Sequence, residues 1–486
     1  MPHLRNAYPR WICALAIACS ISMSSPPSYA LNDYHLPTLG GVASSASSEE
    51  FRLGRAWLRQ FRAQAPQWQD PIVNDYLDSL VARLVPYSQL GSLQTTTVMV
   101  DNRSLNAFAV PGGVIGINSG LFAFAEDEGA FVSVIAHELG HLSQRHYARG
   151  SARAEQTQLP AMAAMLAGML VAASGGGDAG IAAAMGSQAA LIQDQLTYSR
   201  RYEQEADHIG LQAMADAGYD PEAMVRMFSA MQRMARLQGG TPPEFLLTHP
   251  VSDSRLSDAQ ARASQLSVAN AYTSDTLYDM MRARALLSIY SNSPHQATSH
   301  LAQEGAEEPA RRYLEALIRG RNGQTDSALQ ALDQLAAELP DYAMLPASAA
   351  SIALEAQRYD EAITRSQRLL RIMPAYLPAQ LTLAEAQLQR DPEAAYQLLN
   401  NITARHPDSP QGFNLLAEAA GRSGHGSWGH LARAEQLQLT GRVDQGIRQL
   451  SIARDAAERE SNQQALARIE QRREAFIEYR QALEDF

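Results

Sequence analysis

The chain has 486 residues, 46% apolar and 19% charged, which excludes a disordered polymer and leaves room for more than one core. All 40 basic residues are arginine, so Schiff-base, phosphate-loop and general-base lysine chemistry are excluded. A net charge of −11 and a pI near 5.6 argue against nucleic acid as a partner, because phosphates recruit basic surfaces.

Residues 1–30 read as a cleavable export signal. Arg5 and Arg10 supply the positive start, Trp11 to Met23 the apolar run, and Pro26-Pro27-Ser28-Tyr29-Ala30 the end with small residues at the positions a signal peptidase reads, so cleavage is expected after Ala30. Leu15 to Cys19 weakly resembles a lipoprotein signal, which is the alternative. The only cysteines, Cys13 and Cys19, lie in this segment, so the remainder is expected to have no disulfide and no thiolate-bound metal. No later run is long and apolar enough for a span of about 18 residues, so an exported, periplasmic protein is expected.

Helical patterns at 50–90 lead into a short β-rich stretch. Thr95–Val100 is β-branched. Asn106–Val110 and Val114–Ile117 flank Pro111-Gly112-Gly113, a turn signal, so these two pieces are expected to pair as a hairpin. From Glu128 to Tyr147 apolar residues recur at helical spacing, with Gly150 as a stop. Residues 159–192 are Ala/Met/Leu-rich and interrupted by Gly175-Gly176-Gly177, which suits either a core hairpin or a mobile apolar lid that touches substrate or membrane.

His137-Glu138-Leu139-Gly140-His141 carries the chemistry. On a helix, residues four apart share a face about 6 Å apart along the axis, so two imidazoles can hold one zinc ion. Glu138 can then reach a metal-polarised water. A continuation with Gly at 144 and His at 147 would supply a third histidine, but the chain has Gln144 and Tyr147. His146, five residues after His141, points off the shared face and is expected in solvent. The third ligand is therefore sought on a second helix, in Ser199–His208. Glu203 and Asp207 share a face there, one to ligate and one to receive the N–H of a ligating histidine. From spacing alone Glu205, Asp207 and His208 remain alternatives to Glu203, with Glu205 expected as a surface charge.

From 270 onward the chain reads as helical repeats. Pro340, Pro374 and Pro407 are 34 and 33 residues apart, and Ala328, Ala362 and Ala395 keep the same register. A small residue suits the close crossing of two helices, and a proline stops the second. This period resembles the tetratricopeptide repeat, with a further unit near Gly441–Gly446 and a capping helix after Ala456.

The set His137-Glu138-x-x-His141, Ser199-Arg200-x-x-Glu203-x-x-Ala206-Asp207 and Thr248-His249-Pro250 resembles the HtpX and CAAX-prenyl-protease type of gluzincin metallopeptidase over about residues 50–260. Asn106–Gly113 resembles the strand that precedes the zinc helix in that family. The resemblance implies one Zn²⁺ per chain, held by His137, His141 and Glu203, with Glu138 as catalytic base and Asp207 behind a ligating histidine. It also implies that His249 can occupy the open zinc position and hold the enzyme quiet. Arg255 matches a basic residue after the family's His-Pro and is expected to support the site.

The expected fold is mostly α with a small β-sheet: a gluzincin zinc-metalloprotease domain at 31–265, then an all-α tetratricopeptide-repeat solenoid at 270–486. An exposed strand at Ala107, Phe108, Ala109 and Val110, or at Val114–Ile117, would pair with an extended peptide. The export signal and the repeats narrow the resemblance to periplasmic members. They imply degradation of misassembled outer-membrane β-barrel proteins and assistance to their assembly, with those proteins and the barrel-assembly machinery as partners, and peripheral membrane contact through 159–192. The competing reading is a chaperone or assembly adaptor with a latent or structural zinc site.

Overall fold

The computed structural model describes residues 42–91, 93–153, 199–237, 244–268, 272 and 275–484. The expected export signal and the 159–192 segment lie outside the described residues. The sheet and every candidate site residue lie within the unit Ser47–Phe486.

Helix α1 (Val42–Gln64) is followed by α2 (Pro71–Leu84). The Asp70 carboxylate caps α2 by accepting the Ile72 and Val73 amides at 3.1 and 3.3 Å, and Pro71 supplies a preset first turn. Three strands follow: β1 (Thr96–Val100), β2 (Ala107–Val110) and β3 (Val114–Asn118). They lie in the order β1-β3-β2, with β3 parallel to β1 and antiparallel to β2. The β2–β3 hairpin is the one its Pro-Gly-Gly turn predicts. Gly113 sits at φ +83°, and a Cβ there would lie 2.4 Å from the Gln94 carbonyl oxygen, so the turn needs glycine. All five residues of β3 are buried between its neighbours, so the expectation that Val114–Ile117 could receive a peptide strand is wrong. β2 is one edge strand of this sheet; the other, β1, is met only by a single bridge from Gln67 to Val100 among the described residues.

After the short α3 (Ser119–Phe124), Asp127 caps α4 (Glu128–Ser143) by accepting the Ala130 amide at 2.8 Å. Phe131, Val132, Val134, Ile135, Ala136 and Leu139 are all buried, so α4 is the central helix of this half. The helix expected to run to Tyr147 ends at Ser143. Arg145 adopts φ +51° and α5 (residues 146–153) starts in a new direction. Next come α6 (residues 199–216), α7 (Glu222–Leu237), α8 (Glu244–Thr248) and α9 (Asp253–Ala263).

α10 (Asp275–Ile289) opens the helical array. It packs on α3, where the Tyr278 hydroxyl donates to the Ala125 carbonyl at 2.9 Å and the fully buried Arg282 donates to the Phe122 carbonyl at 3.0 Å. One apolar core runs from Ile72 to Ala379 across this junction. The repeats are helical pairs, such as Met344–Glu355 with Tyr359–Ile372 and Leu377–Arg390 with Pro392–Arg405. Ala328, Ala362 and Ala395 have no exposed surface, as a close helix crossing requires. The last repeats return to α1. Arg55 pairs with Asp408 at 3.0 Å, and Arg59 donates to the Gln438 side chain at 2.8 Å and lies over the Tyr479 ring. Among the described residues, no helix is long and apolar enough to cross a membrane.

Candidate metal centre

The site forms where α4 crosses α6. A Cβ on Gly140 would lie 2.7 Å from the Ala206 carbonyl oxygen and 2.9 Å from its Cα. Glycine inside a helix costs about 1 kcal/mol relative to alanine, and here the close approach explains it. With the helices this near, the Nε2 atoms of His137 and His141 stand 3.0 Å apart, and the Glu203 carboxylate lies 3.4 and 3.3 Å from them. His249, at the end of α8, places Nδ1 3.2 Å from His137 Nε2 and 3.1 Å from a Glu203 oxygen. One ligand atom from each of these four residues lies within 4.8 Å of the others. Donors on a tetrahedral ion with bonds of about 2.0–2.1 Å are about 3.3 Å apart, so the spacing suits a small dication.

The surrounding groups fix this arrangement. The Asp207 carboxylate is 2.9 Å from His137 Nδ1, which turns Nε2 into the cluster. Arg255, 4% exposed, forks onto Asp207 through Nε and Nη2 at 2.7 Å each. Its Nη1 reaches Glu203 at 2.9 Å and the Pro250 carbonyl at 2.9 Å, so one guanidinium ties both carboxylates to the loop that carries His249. Ser252 caps α9 by accepting the Arg255 amide, which sets Arg255 in the first turn, facing α6.

Burial alone would push the Glu203 carboxyl up. Hydrogen bonds with His137, His141 and His249 overcome that and hold it well below the usual carboxylate range. Burial pulls the His137 imidazole down, but Asp207 and then Glu203 outweigh it and hold it at about 9. Burial takes His141 to about 3. The His137 imidazole and the Arg255 guanidinium thus both face the Asp207 and Glu203 carboxylates. Glu138 is also buried, which raises its pKa. The positive influence of His249 and His137 and a hydrogen bond from the Ala109 amide partly offset this. Its Oε1 has no hydrogen-bond partner and faces His249 Nε2 at 3.6 Å. A cavity of about 180 Å³ lies alongside, lined by Ala109, Gly112, Glu138, His141, His146 and His249 among others.

Of the four acidic or imidazole groups that spacing left open, only Glu203 joins the two α4 histidines. Asp207 stands behind His137. Glu205 turns away from the cluster to Arg149, Arg201 and His146 at 2.7, 3.0 and 3.1 Å, and His208 pairs with Asp258. Arg255 lies beside the site. The expectation for His146 is wrong. It is not in solvent but 5% exposed, with Nδ1 2.9 Å from His141 Nδ1. On one continuous helix it would point roughly 140° away from His141; the break at Gln144-Arg145 turns it back.

The profile described as Peptidase family M48 matches residues 71–263, and a tetratricopeptide-repeat profile matches 353–419. The chain is therefore a metalloendopeptidase with helical repeats behind its catalytic half. It is 34% identical to the beta-barrel assembly-enhancing protease of Escherichia coli K12, over 95% of this chain and 96% of that one. The Yersinia pestis protein of the same name is also 34% identical, over 92% and 94%. The mitochondrial metalloendopeptidase OMA1 of Arabidopsis thaliana is 29% identical over 35% of this chain and 31% of its own. The chain belongs to the family of the beta-barrel assembly-enhancing proteases.

Proposed function

We propose that this chain is a zinc endopeptidase of the periplasm that cleaves unfolded or misassembled outer-membrane β-barrel proteins and assists their assembly. The carrying observation is the convergence of His137, His141 and Glu203 beside Glu138, a buried carboxylate with a free oxygen. Imidazole and carboxylate donors with no thiolate suit zinc in a catalytic rather than a structural site, and His137, His141 and Glu203 would hold it. Bound zinc supplies Lewis acidity to a water and to the scissile carbonyl. Glu138 takes the proton of the attacking water and delivers it to the leaving nitrogen, a task that its raised pKa favours. The edge strand Ala107–Val110 holds an extended substrate beside it, since the Ala109 amide already faces Glu138.

In this reading residues 31–265 carry the chemistry and 270–486 the recognition of clients or of the barrel-assembly machinery. The relatives' name and the repeat array support those partners. His249 is a plug. Its Nδ1 fills the fourth corner of the donor set while its Nε2 faces Glu138, so water and substrate enter only when the α8–α9 loop moves. The same plug favours a second reading, an assembly adaptor whose site stays closed. Glu138→Gln separates the two. The endopeptidase reading requires loss of cleavage of a misassembled barrel protein with zinc retained. Full complementation of barrel assembly by the variant would favour the adaptor.

A further inference from the structure

The outward nitrogens of the two α4 histidines are anchored differently. His137 Nδ1 meets the Asp207 carboxylate directly. His141 Nδ1 meets a second imidazole, His146 Nδ1, at 2.9 Å, and His146 Nε2 meets Glu205 at 3.1 Å. A nitrogen–nitrogen contact of this length holds one proton, so one ring donates and the other accepts. If His141 turns Nε2 inward with its lone pair free, Nδ1 carries the hydrogen and donates. His146 Nδ1 must then accept, and its Nε2–H donates to Glu205. This tautomer satisfies both contacts of His146 with its ring neutral.

Neighbouring side chains hold the relay. The Tyr202 ring stacks on His146 with centroids 4.4 Å apart, and the Arg149 guanidinium lies over the Tyr202 ring at 4.8 Å. Glu205 is paired with Arg149 at 2.7 Å and with Arg201 at 3.0 Å, which holds its carboxylate against His146.

We infer that His146 and Glu205 are positioning residues for the metal centre, forming a Glu205–His146–His141 relay that fixes the ring orientation and tautomer in which His141 can ligate. This inference rests on the proposed ligand role of His141. Groups one step behind metal ligands commonly account for about 10–100-fold in affinity. His146→Leu removes the acceptor. His146→Asn keeps an oxygen near the Nδ1 position but loses the link to Glu205. Glu205→Gln keeps the shape and removes the charge.

The test measures zinc dissociation constants of the full chain, in a Glu138→Gln background, by competition with a chromophoric chelator, with thermal unfolding of the chelator-stripped proteins in parallel. His146→Leu should bind zinc about 10–100-fold more weakly than its parent, His146→Asn should recover most of that loss, and Glu205→Gln should lie between parent and His146→Leu. Parent-like affinity in His146→Leu, or an asparagine variant as weak as the leucine variant, overturns the relay. If His146→Leu does not fold, Glu205→Gln decides: parent-like affinity overturns the relay and a several-fold loss supports it. A parent that binds no zinc would instead refute the metal site on which the inference rests.

Discussion

Arg255→Met should be among the most destabilising single changes in the catalytic half. The guanidinium is 4% exposed and faces two carboxylates that are themselves buried, Asp207 and Glu203. Removing it leaves those anions with the His137 proton as the nearest compensation. Stripping one partner from a buried ion pair costs about 3–5 kcal/mol, because the remaining charge stays desolvated. Methionine fills much of the volume against Phe228, so little of the loss would be packing. Arg255→Lys keeps the charge but cannot fork onto Asp207 while reaching Glu203 and Pro250, and should lose about 1–3 kcal/mol. Urea unfolding in a Glu138→Gln background with chelator present removes self-cleavage and bound metal from the comparison. A loss below about 1 kcal/mol in Arg255→Met would refute the electrostatic account of this network.

The same geometry sets three more outcomes. His249→Leu should raise basal cleavage of an unfolded client at matched zinc content; equal or lower cleavage removes the plug. Gly140→Ala would stabilise an ordinary helix by about 1 kcal/mol, but here it should destabilise by about 1–3 kcal/mol and weaken metal binding, because Cβ meets the Ala206 backbone; calorimetry with metal titration reads both. Asp75 is held at about 6 by burial and by Asp78. Since this is above its unfolded value of about 3.9, stability is full below that value, falls as pH rises to about 6, and is fully penalised above it. A shift of that size in a dry site is worth about 3 kcal/mol, and partial exposure lowers it to about 1–2 kcal/mol. Asp75→Asn should therefore stabilise the protein at pH 7 and not at pH 4 in parallel denaturant titrations.

Much of this was legible along the chain because it repeats or clusters locally. The His137–His141 spacing, the 34- and 33-residue spacing of Ala328, Ala362 and Ala395, and the Pro-Gly-Gly turn are patterns set by helix and strand geometry. The parts that were not legible depend on where separate elements meet. Whether Val114–Ile117 was an edge or a centre depended on β1 joining it in parallel, which the alternation of side chains does not encode. His146 looked solvent-facing because residues 128–147 read as one helix, whereas Arg145 with φ +51° redirects the chain. No local rule marks an arginine as a left-handed position. Among Glu203, Glu205, Asp207 and His208, helical spacing favoured Glu203 and Asp207. Only the approach of α6 to Gly140 and of Arg255 from α9 shows which carboxylate faces the histidines and which stands behind them.

The most direct test is the metal content of the purified full chain, measured by elemental analysis beside its Glu203→Gln variant after both are offered equimolar zinc and washed free of loose ions. One zinc ion per wild-type chain and markedly less in the variant is the predicted result. Wild-type protein without bound zinc, or a variant that retains it fully, would contradict the site as described.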